Sequence, residues 1–157
     1  MDHIYKVLGP EVFSESDDTI KSVVLKHEWY PEAFAELMDI FHRADAHTLE
    51  IGLGAGYTHS ILHRKNLELP HRPRSDVFGI DNLSMDSTSI ANICTQIEAV
   101  GSKPLIFLMD SAAVARFWLK PIFFLFIDGG HEYTDALIDY HGFVPHVVTG
   151  GLVAIHD

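Results

Sequence analysis

The stretch from Leu49 to Tyr57 constrains the fold more than any other part of the chain. It reads Leu-Glu-Ile-Gly-Leu-Gly-Ala-Gly-Tyr, an apolar run with one acid that turns into glycines before a helical segment. Glycines allow positive φ and a close approach of the backbone to a ligand, and the N-terminus of the following helix presents free N–H groups. The pattern therefore predicts a strand, a tight turn and a helix, with a nucleotide-like cofactor over the turn.

The rest of the chain alternates short apolar runs with helical periods. The run 121–127 is apolar throughout, as is typical of a strand in the middle of a parallel sheet covered on both faces. This alternation predicts a Rossmann-like, doubly wound α/β sandwich with a parallel sheet of about five strands and helices on both faces. We expect strands at 48–51, 76–80, 104–109, 121–127 and 152–155, and helices at 31–44, 57–63, 86–100, 111–119 and 133–144.

Two segments are predicted to be connections. Residues 65–75 contain Pro70 and Pro73 and several charges, which indicates a surface loop. Gly150 and Gly151 are expected to turn the chain into the last strand. Residues 1–30 show no clean period, so residues 1–47 are predicted to be an N-terminal helical or irregular cap on a cofactor-binding core at 48–157.

Length and charge exclude several classes of protein. A chain of 157 residues is long enough for one domain, and its net charge of -11 opposes nonspecific binding to nucleic acid. No apolar run approaches the ~20 residues of a membrane span. The single cysteine, Cys94, excludes an internal disulfide, and the N-terminus lacks a signal-peptide pattern, so we expect a cytoplasmic protein.

The chain contains eleven histidines, scattered from His3 to His156. His59 and His63 are four residues apart and would share one helical face. The glutamate of the H-E-x-x-H zinc motif is missing, however. The sequence therefore favours surface histidines over a zinc site.

Four acids follow predicted strands. They are Asp81, Asp110, Asp128 and Asp157. In open α/β sheets ligands bind at the carboxyl ends of the strands, although Asp also starts loops and caps helices. Asp81 falls where an acid that binds ribose hydroxyls is expected. Because the third glycine comes one residue earlier than in the dinucleotide fingerprint, an NAD(P) oxidoreductase is the less favoured interpretation.

The pattern E-x-G-x-G-x-G at residues 50–56 resembles the first motif of class I S-adenosylmethionine (SAM) methyltransferases. Segments 126–133 and 150–157 resemble the metal-dependent O-methyltransferases related to the macrocin and catechol enzymes, and the resemblance covers residues 48–157. It implies the strand order 3-2-1-4-5 and methylation of a small hydroxylated molecule, with Asp110 at the adenine amino group. The residues it implies for SAM are Glu50, Gly52, Gly54, Gly56, Tyr57, Asp81, Asp110, Ser111 and Asp128.

The same resemblance implies a divalent cation and a general base. Asp128 and Asp157 match the positions of the metal ligands, and His131 looks like the base. His156 stands where relatives often carry a second acid. Its softer nitrogen leaves the metal open between Mg, Mn, Fe and Zn.

The fold that the resemblance implies normally continues through a helix and two strands beyond the position of Asp157. A non-catalytic or truncated SAM-binding module is therefore the alternative function. On this interpretation Leu152 to Ile155 form an unpaired apolar edge strand, through which the chain is expected to self-associate or recruit a partner.

Overall fold

The computed structural model describes residues 12–13, 20–25, 45–68, 75–82 and 87–156. Its frame is a seven-stranded sheet in the order β1-β2-β7-β6-β3-β4-β5. β1 pairs antiparallel with β2, and every other pairing in this sheet is parallel. The strands are β1 (Val12–Phe13), β2 (Ile20–Leu25), β3 (His47–Ile51), β4 (Val77–Asp81), β5 (Ile106–Leu108), β6 (Ile122–Ile127) and β7 (Val147–His156).

The five strands after residue 45 confirm the predicted architecture. From β5 to β7 across the sheet, the order β5-β4-β3-β6-β7 is the 3-2-1-4-5 order of a doubly wound α/β fold. All six residues of β6 are buried between β3 and β7, as its continuous apolar run predicts. β6 is therefore a central apolar strand. The direction in which successive strands are added to the sheet reverses between β3 and β6.

Helices cover both faces of this sheet. They are α1 (Tyr57–Glu68), α2 (Ser87–Ala99), α3 (Ser111–Ala115) and α4 (Tyr133–Phe143), and α4 continues into a 3₁₀ turn at Val144–His146. α1 extends into the predicted loop, because residues 64–68 contain no glycine or proline. α3 ends at Ala115, earlier than predicted. The predicted helix at 31–44 lies outside the described residues.

Among the residues that the structure describes, two apolar clusters join the helices to the sheet. On one face Trp118 and Phe143 pack with Phe78 of β4, and the Trp118 ring lies edge-on to both phenylalanines. On the other face Ile93 and Ile97 of α2 pack with Leu53, which follows β3. In the first cluster the strand residues alternate, as Leu49 and Ile51 of β3 do, so they lie on one face of the sheet.

The N-terminal region differs from the prediction of a helical or irregular cap. Residues 20–25 form β2, which pairs in parallel with β7 from Ile20↔Gly151 to Leu25↔His156. Residues 20–25 include β-branched Ile20, Val23 and Val24, which favour strands. The edge of β7 offers unpaired backbone groups, which β2 satisfies. The expected free edge at Leu152 to Ile155 is therefore wrong, and so is the premise of self-association through it.

The last strand also begins earlier than predicted. β7 runs through Gly150 and Gly151 instead of starting after them, and Gly150 has a φ of 76°. The register with β6 shifts between Ile122 and Phe124, which is the pattern of a β-bulge. The two glycines thus form an irregularity within the strand and not a turn before it.

Candidate functional site

A cleft of about 740 Å³ lies at the carboxyl ends of the central strands. β3 and β6 are adjacent there, and the connections that follow them lead to opposite faces of the sheet, which is the usual ligand position in this architecture. The volume suits a small organic molecule or a cofactor. Ten predicted site residues line the cleft: Glu50, Gly52, Gly54, Tyr57, Asp81, Asp110, Ser111, Asp128, His131 and His156.

The glycine turn is shaped by two close approaches. Gly52 has a φ of 85°, and a Cβ there would lie 2.0 Å from the carbonyl oxygen of Asp128. Gly56 has a φ of 77°, and a Cβ there would lie 2.3 Å from Cγ1 of Ile93. Gly56 therefore packs closely against α2 and does not line the cleft, and its contact with a cofactor stays a prediction. At Gly54 a Cβ would meet nothing within 4 Å, so the turn is open where it borders the cleft.

Three of the predicted strand-end acids meet in this cleft. The Asp81 carboxylate accepts a hydrogen bond from the backbone N–H of Leu53 at 3.2 Å, which ties β4 to the glycine turn. Asp110 caps α3 by accepting from the N–H of Ala113 at 3.1 Å, so the helix-capping alternative also holds for this residue. Asp157 lies outside the described residues.

Glu50 is the most buried acid of the cleft, at 1% exposure. Burial raises the pKa of its carboxyl well above the ordinary value, and the negative charge of Asp128 adds to this effect. Its Oε2 lies 2.8 Å from Nδ1 of His59. Burial lowers the pKa of His59 to about 3, so this imidazole is neutral near neutral pH.

The prediction that His59 and His63 are surface residues is wrong. They share one face of α1, as their spacing predicts, but that face packs on the sheet, and both side chains are buried. Their Nε2 atoms lie 3.2 Å apart, and Nδ1 of His63 lies 2.8 Å from Oγ of Ser102. Burial, together with the neighbouring His59, lowers the pKa of His63 to about 3.

The residues predicted to bind a metal are partly brought together. Nδ1 of His156 lies 3.0 Å from Oδ1 of Asp128, yet within the described part of the chain that nitrogen has no partner in hydrogen-bond geometry. Burial raises the pKa of Asp128, against the opposing effects of His156 and His131. No group of three or more His, Cys, Asp or Glu side chains among the described residues is arranged to hold a metal ion. The predicted base His131 is exposed and borders the same cleft.

One buried acid that lines the cleft was not among the predicted site residues. Asp139 of α4 is 4% exposed and accepts a hydrogen bond from the hydroxyl of Ser111. Burial raises the pKa of Asp139, and nearby acids raise it further. The hydrogen bond from Ser111 opposes this rise. The available signal was its helical spacing from Ala136 and Phe143, which places it on the inward face of α4.

The described helices carry no membrane-spanning signal. None of them combines the length and the apolar character that a crossing needs.

Several solved structures match this fold, among them an O-methyltransferase and an rRNA methylase. A TDP-rhamnose 3'-O-methyltransferase of calicheamicin biosynthesis matches with a TM-score of 0.64 and 15% identity over 79% of this chain and 62% of its own. An rRNA methylase from Streptococcus thermophilus matches with a TM-score of 0.60 and 13% identity, over 83% of this chain and 74% of its own. TrmN from Thermus thermophilus matches with a TM-score of 0.56 and 18% identity, over 83% of this chain and 39% of its own. The chain thus spans less than two thirds of the first of these proteins. At such identities the likeness shows the fold alone.

The sequence itself identifies the family. A family model for a methyltransferase domain matches residues 49–157, from the glycine turn through β7. This match covers more than half of the chain and includes every strand-end acid described above. The chain belongs to the methyltransferase domain family.

Proposed function

We propose that this protein is a SAM-dependent methyltransferase that transfers a methyl group to an oxygen of a small hydroxylated molecule. One observation carries the proposal: in a chain of the methyltransferase domain family, the glycine turn and the acids Glu50, Asp81 and Asp110 border one cleft. The matched O-methyltransferase of the same fold is consistent with an oxygen acceptor.

The residues of the cleft fit SAM. The open space at Gly54 gives the ligand room against the turn, and Asp81 is oriented by the Leu53 N–H with its carboxylate bordering the cleft. That carboxylate can accept hydrogen bonds from ribose hydroxyls. We assign the ammonium group to Glu50 and the adenine to Asp110 and Ser111, all of which border the cleft. When bound, SAM supplies an electrophilic methyl group on a sulfonium.

The chain's own residues then act on the methyl acceptor. Oxygen becomes a better nucleophile as its proton leaves, so a base must lie beside the acceptor hydroxyl. His131 borders the cleft from the segment between β6 and α4, and its side chain is exposed to an entering molecule. We assign it the role of accepting that proton.

A divalent cation is part of the proposal. The 3.0 Å separation of Asp128 Oδ1 and His156 Nδ1 suits two neighbouring ligands of one ion, and Asp157 is the third ligand we propose. Such an ion lowers the pKa of a bound hydroxyl and orients it. Mn²⁺ or Mg²⁺ fits a mixed oxygen and nitrogen set.

Calorimetry with SAM, S-adenosylhomocysteine and NAD tests the cofactor. We expect saturable binding of the first two. Asp81→Ala should weaken it by roughly tenfold to a hundredfold, since each hydrogen bond to a charged group contributes about 1.5–3 kcal/mol. Glu98→Ala, on the exposed side of α2, is the control and should bind normally. Tighter binding of NAD than of SAM would overturn the proposal.

Manganese titration followed by electron paramagnetic resonance tests the metal without any need for turnover. We expect one bound Mn²⁺ per chain in the wild type and a loss of binding in Asp128→Asn. Asp76→Asn is the matched control, because Asp76 directly precedes β4, at the end of that strand remote from the cleft. Equal Mn²⁺ binding in all three proteins would place the ion elsewhere, and chelator-insensitive methyl transfer would remove it from the reaction.

A further inference from the structure

A line of polar side chains connects the cleft to a second cavity. It runs from Glu50, which borders the cleft, through His59 and His63 to Ser102, with successive separations of 2.8, 3.2 and 2.8 Å. The second cavity, of about 420 Å³, is lined by His63 and Ser102. Each of the three contacts is within hydrogen-bond range. The line crosses the layer between α1 and the sheet, and Glu50, His59 and His63 are each at most 1% exposed.

The two imidazoles fix the direction of every bond in the line. Each neutral imidazole has one N–H and one acceptor nitrogen. The protonation state of Glu50 therefore determines the direction of all three hydrogen bonds. If Glu50 is ionised, His59 donates to it from Nδ1, His63 donates to His59 from Nε2, and the Ser102 hydroxyl donates to His63. If Glu50 is protonated, all three bonds reverse. In both arrangements each of the three contacts is a hydrogen bond, and the two arrangements differ by one proton.

We propose that Glu50, His59, His63 and Ser102 form a proton relay that exchanges the proton of Glu50 with the second cavity. In this step Glu50 passes its proton to Nδ1 of His59, and Nε2 of His59 passes one to Nε2 of His63. Nδ1 of His63 then passes one to Oγ of Ser102, whose original hydroxyl proton leaves into the second cavity. Glu50 becomes a carboxylate, both imidazoles change tautomer, and the chain loses one proton in total.

Burial makes such a path useful. Glu50 is enclosed, so its ionisation is costly without a counter-charge, and the relay gives its proton an exit that avoids the ligand in the cleft. The low pKa values of His59 and His63, about 3 each, mean that the imidazoles change tautomer without accumulating charge.

Other charged groups face the two ends of the relay. Across the cleft, Glu50 shares its surroundings with Asp81, Asp110, Asp128, His131, Asp135, Asp139 and His156. At the other end, Asp76 and Lys103 line the second cavity with His63. The acids around Glu50 disfavour a carboxylate there, and a cationic ligand shifts Glu50 toward the ionised form at constant pH. The expected effect of a ligand on Glu50 rests on the proposed function, because SAM and S-adenosylhomocysteine carry an ammonium group.

Nitrogen-15 NMR of histidine-labelled protein tests the relay directly, since the two tautomers of neutral imidazole have distinct ring-nitrogen shifts. Raising the pH of the ligand-free protein should convert His59 from the Nε2–H to the Nδ1–H form and His63 from Nδ1–H to Nε2–H. One shared midpoint is expected. Fixed tautomers, separate midpoints or an imidazolium signal would each overturn the relay.

Addition of S-adenosylhomocysteine below that midpoint separates the relay from the proposed function. We expect the ligand to drive the same pair of conversions at constant pH and to release a proton. If the pH titration shows the conversions but the ligand does not bind, the relay stands and the proposed function fails. If the ligand binds and the tautomers never change, the relay fails alone.

Three variants locate the ends of the relay. Glu50→Gln keeps the shape but cannot ionise, so the tautomers should be locked at every pH. Ser102→Ala removes the exit hydroxyl and should slow the exchange between the two arrangements several-fold, whereas Ser102→Thr retains a hydroxyl and should restore it. Unchanged exchange in Ser102→Ala would show that the proton leaves by another route. Tautomers that still change in Glu50→Gln would remove Glu50 from the line.

Discussion

At the scale of single residues, Gly52 shows how the backbone of the cleft is held. Its φ of 85° costs an alanine roughly 1–2 kcal/mol. A Cβ there would also meet the Asp128 carbonyl oxygen at 2.0 Å, an overlap that costs a further 1–3 kcal/mol, roughly. We therefore predict that Gly52→Ala loses clearly more stability in urea unfolding than Gly54→Ala, whose φ of 48° is also positive but whose Cβ meets nothing. Equal losses would show that the turn does not pack on the Asp128 segment.

The buried histidines predict a loss of stability in acid. The pKa of His63 is about 3 in the folded chain against 6.5 ordinarily, so the unfolded chain holds the extra proton between those values. Stability from this residue is complete above about pH 6.5 and falls as the pH decreases, by up to about 1.4 kcal/mol per pH unit. Urea unfolding at several pH values should show a shallower dependence in His63→Gln. His141→Gln, at an exposed position of α4, is the control. Equal dependences in both variants would contradict the burial of a neutral His63.

The sequence predicts some of these residues well because their positions follow from local pattern. An acid directly after an apolar run must lie near the end of a strand, which is why Asp81, Asp110 and Asp128 are placed correctly. Spacing alone gave His59 and His63 a common helix face without showing whether that face meets water or the sheet. Their burial depends on Glu50 of β3 and Gly79 of β4, where a Cβ would lie 2.9 Å from the His59 ring. That contact is tertiary and leaves no local signal.

At the scale of elements, α4 is anchored by Phe143 at its C-terminal end. This ring is fully buried and lies edge-on to Trp118. Removing a buried phenylalanine ring costs about 3–5 kcal/mol, so Phe143→Ala should lower the unfolding free energy by that amount. Leu119→Ala, at a position that is 89% exposed, should change it by less than about 0.5 kcal/mol. Similar values for the two variants, measured by urea titration, would refute this packing.

Element boundaries show where local signals end. Gly101, with a φ of 80°, lies just after α2, as a C-cap glycine should. Gly150 and Gly151 carry the same turn signal but lie inside β7, because pairing with β2 and β6 on either side extends that strand through them. Pairing partners distant in sequence thus override a turn preference that is otherwise sound.

At the scale of the whole molecule, β2 covers the edge of β7 that was predicted to be unpaired. We predict that removal of residues 1–25 exposes the backbone of β7 and makes the chain associate with increasing concentration, whereas the full 157-residue chain does not associate through this edge. Light scattering over a concentration series measures this. Val23→Pro, which removes one backbone donor within β2, is expected to have a weaker effect in the same direction. Identical masses for the full and shortened chains would contradict the pairing.

The five-stranded core of the fold could be predicted from the sequence, because the alternation of strands and helices restricts the topology to few choices. The order of the five core strands follows from the glycine turn and from the methyltransferase-like motifs after it. The parallel addition of β2 did not follow, since strand formation by residues 20–25 depends on an edge created more than a hundred residues later. The same distance separates His156 from Glu50, so the full set of cleft residues emerges only in the folded chain.

A crystal structure of the protein with S-adenosylhomocysteine tests the central claim most directly, because that claim is the position of a ligand. We predict density over Gly52 and Gly54, with the ribose hydroxyls on the Asp81 carboxylate, the adenine beside Asp110, and the ammonium group at Glu50. Density for the ligand outside this cleft, or an ammonium group turned away from Glu50 with the ribose distant from Asp81, would contradict the account.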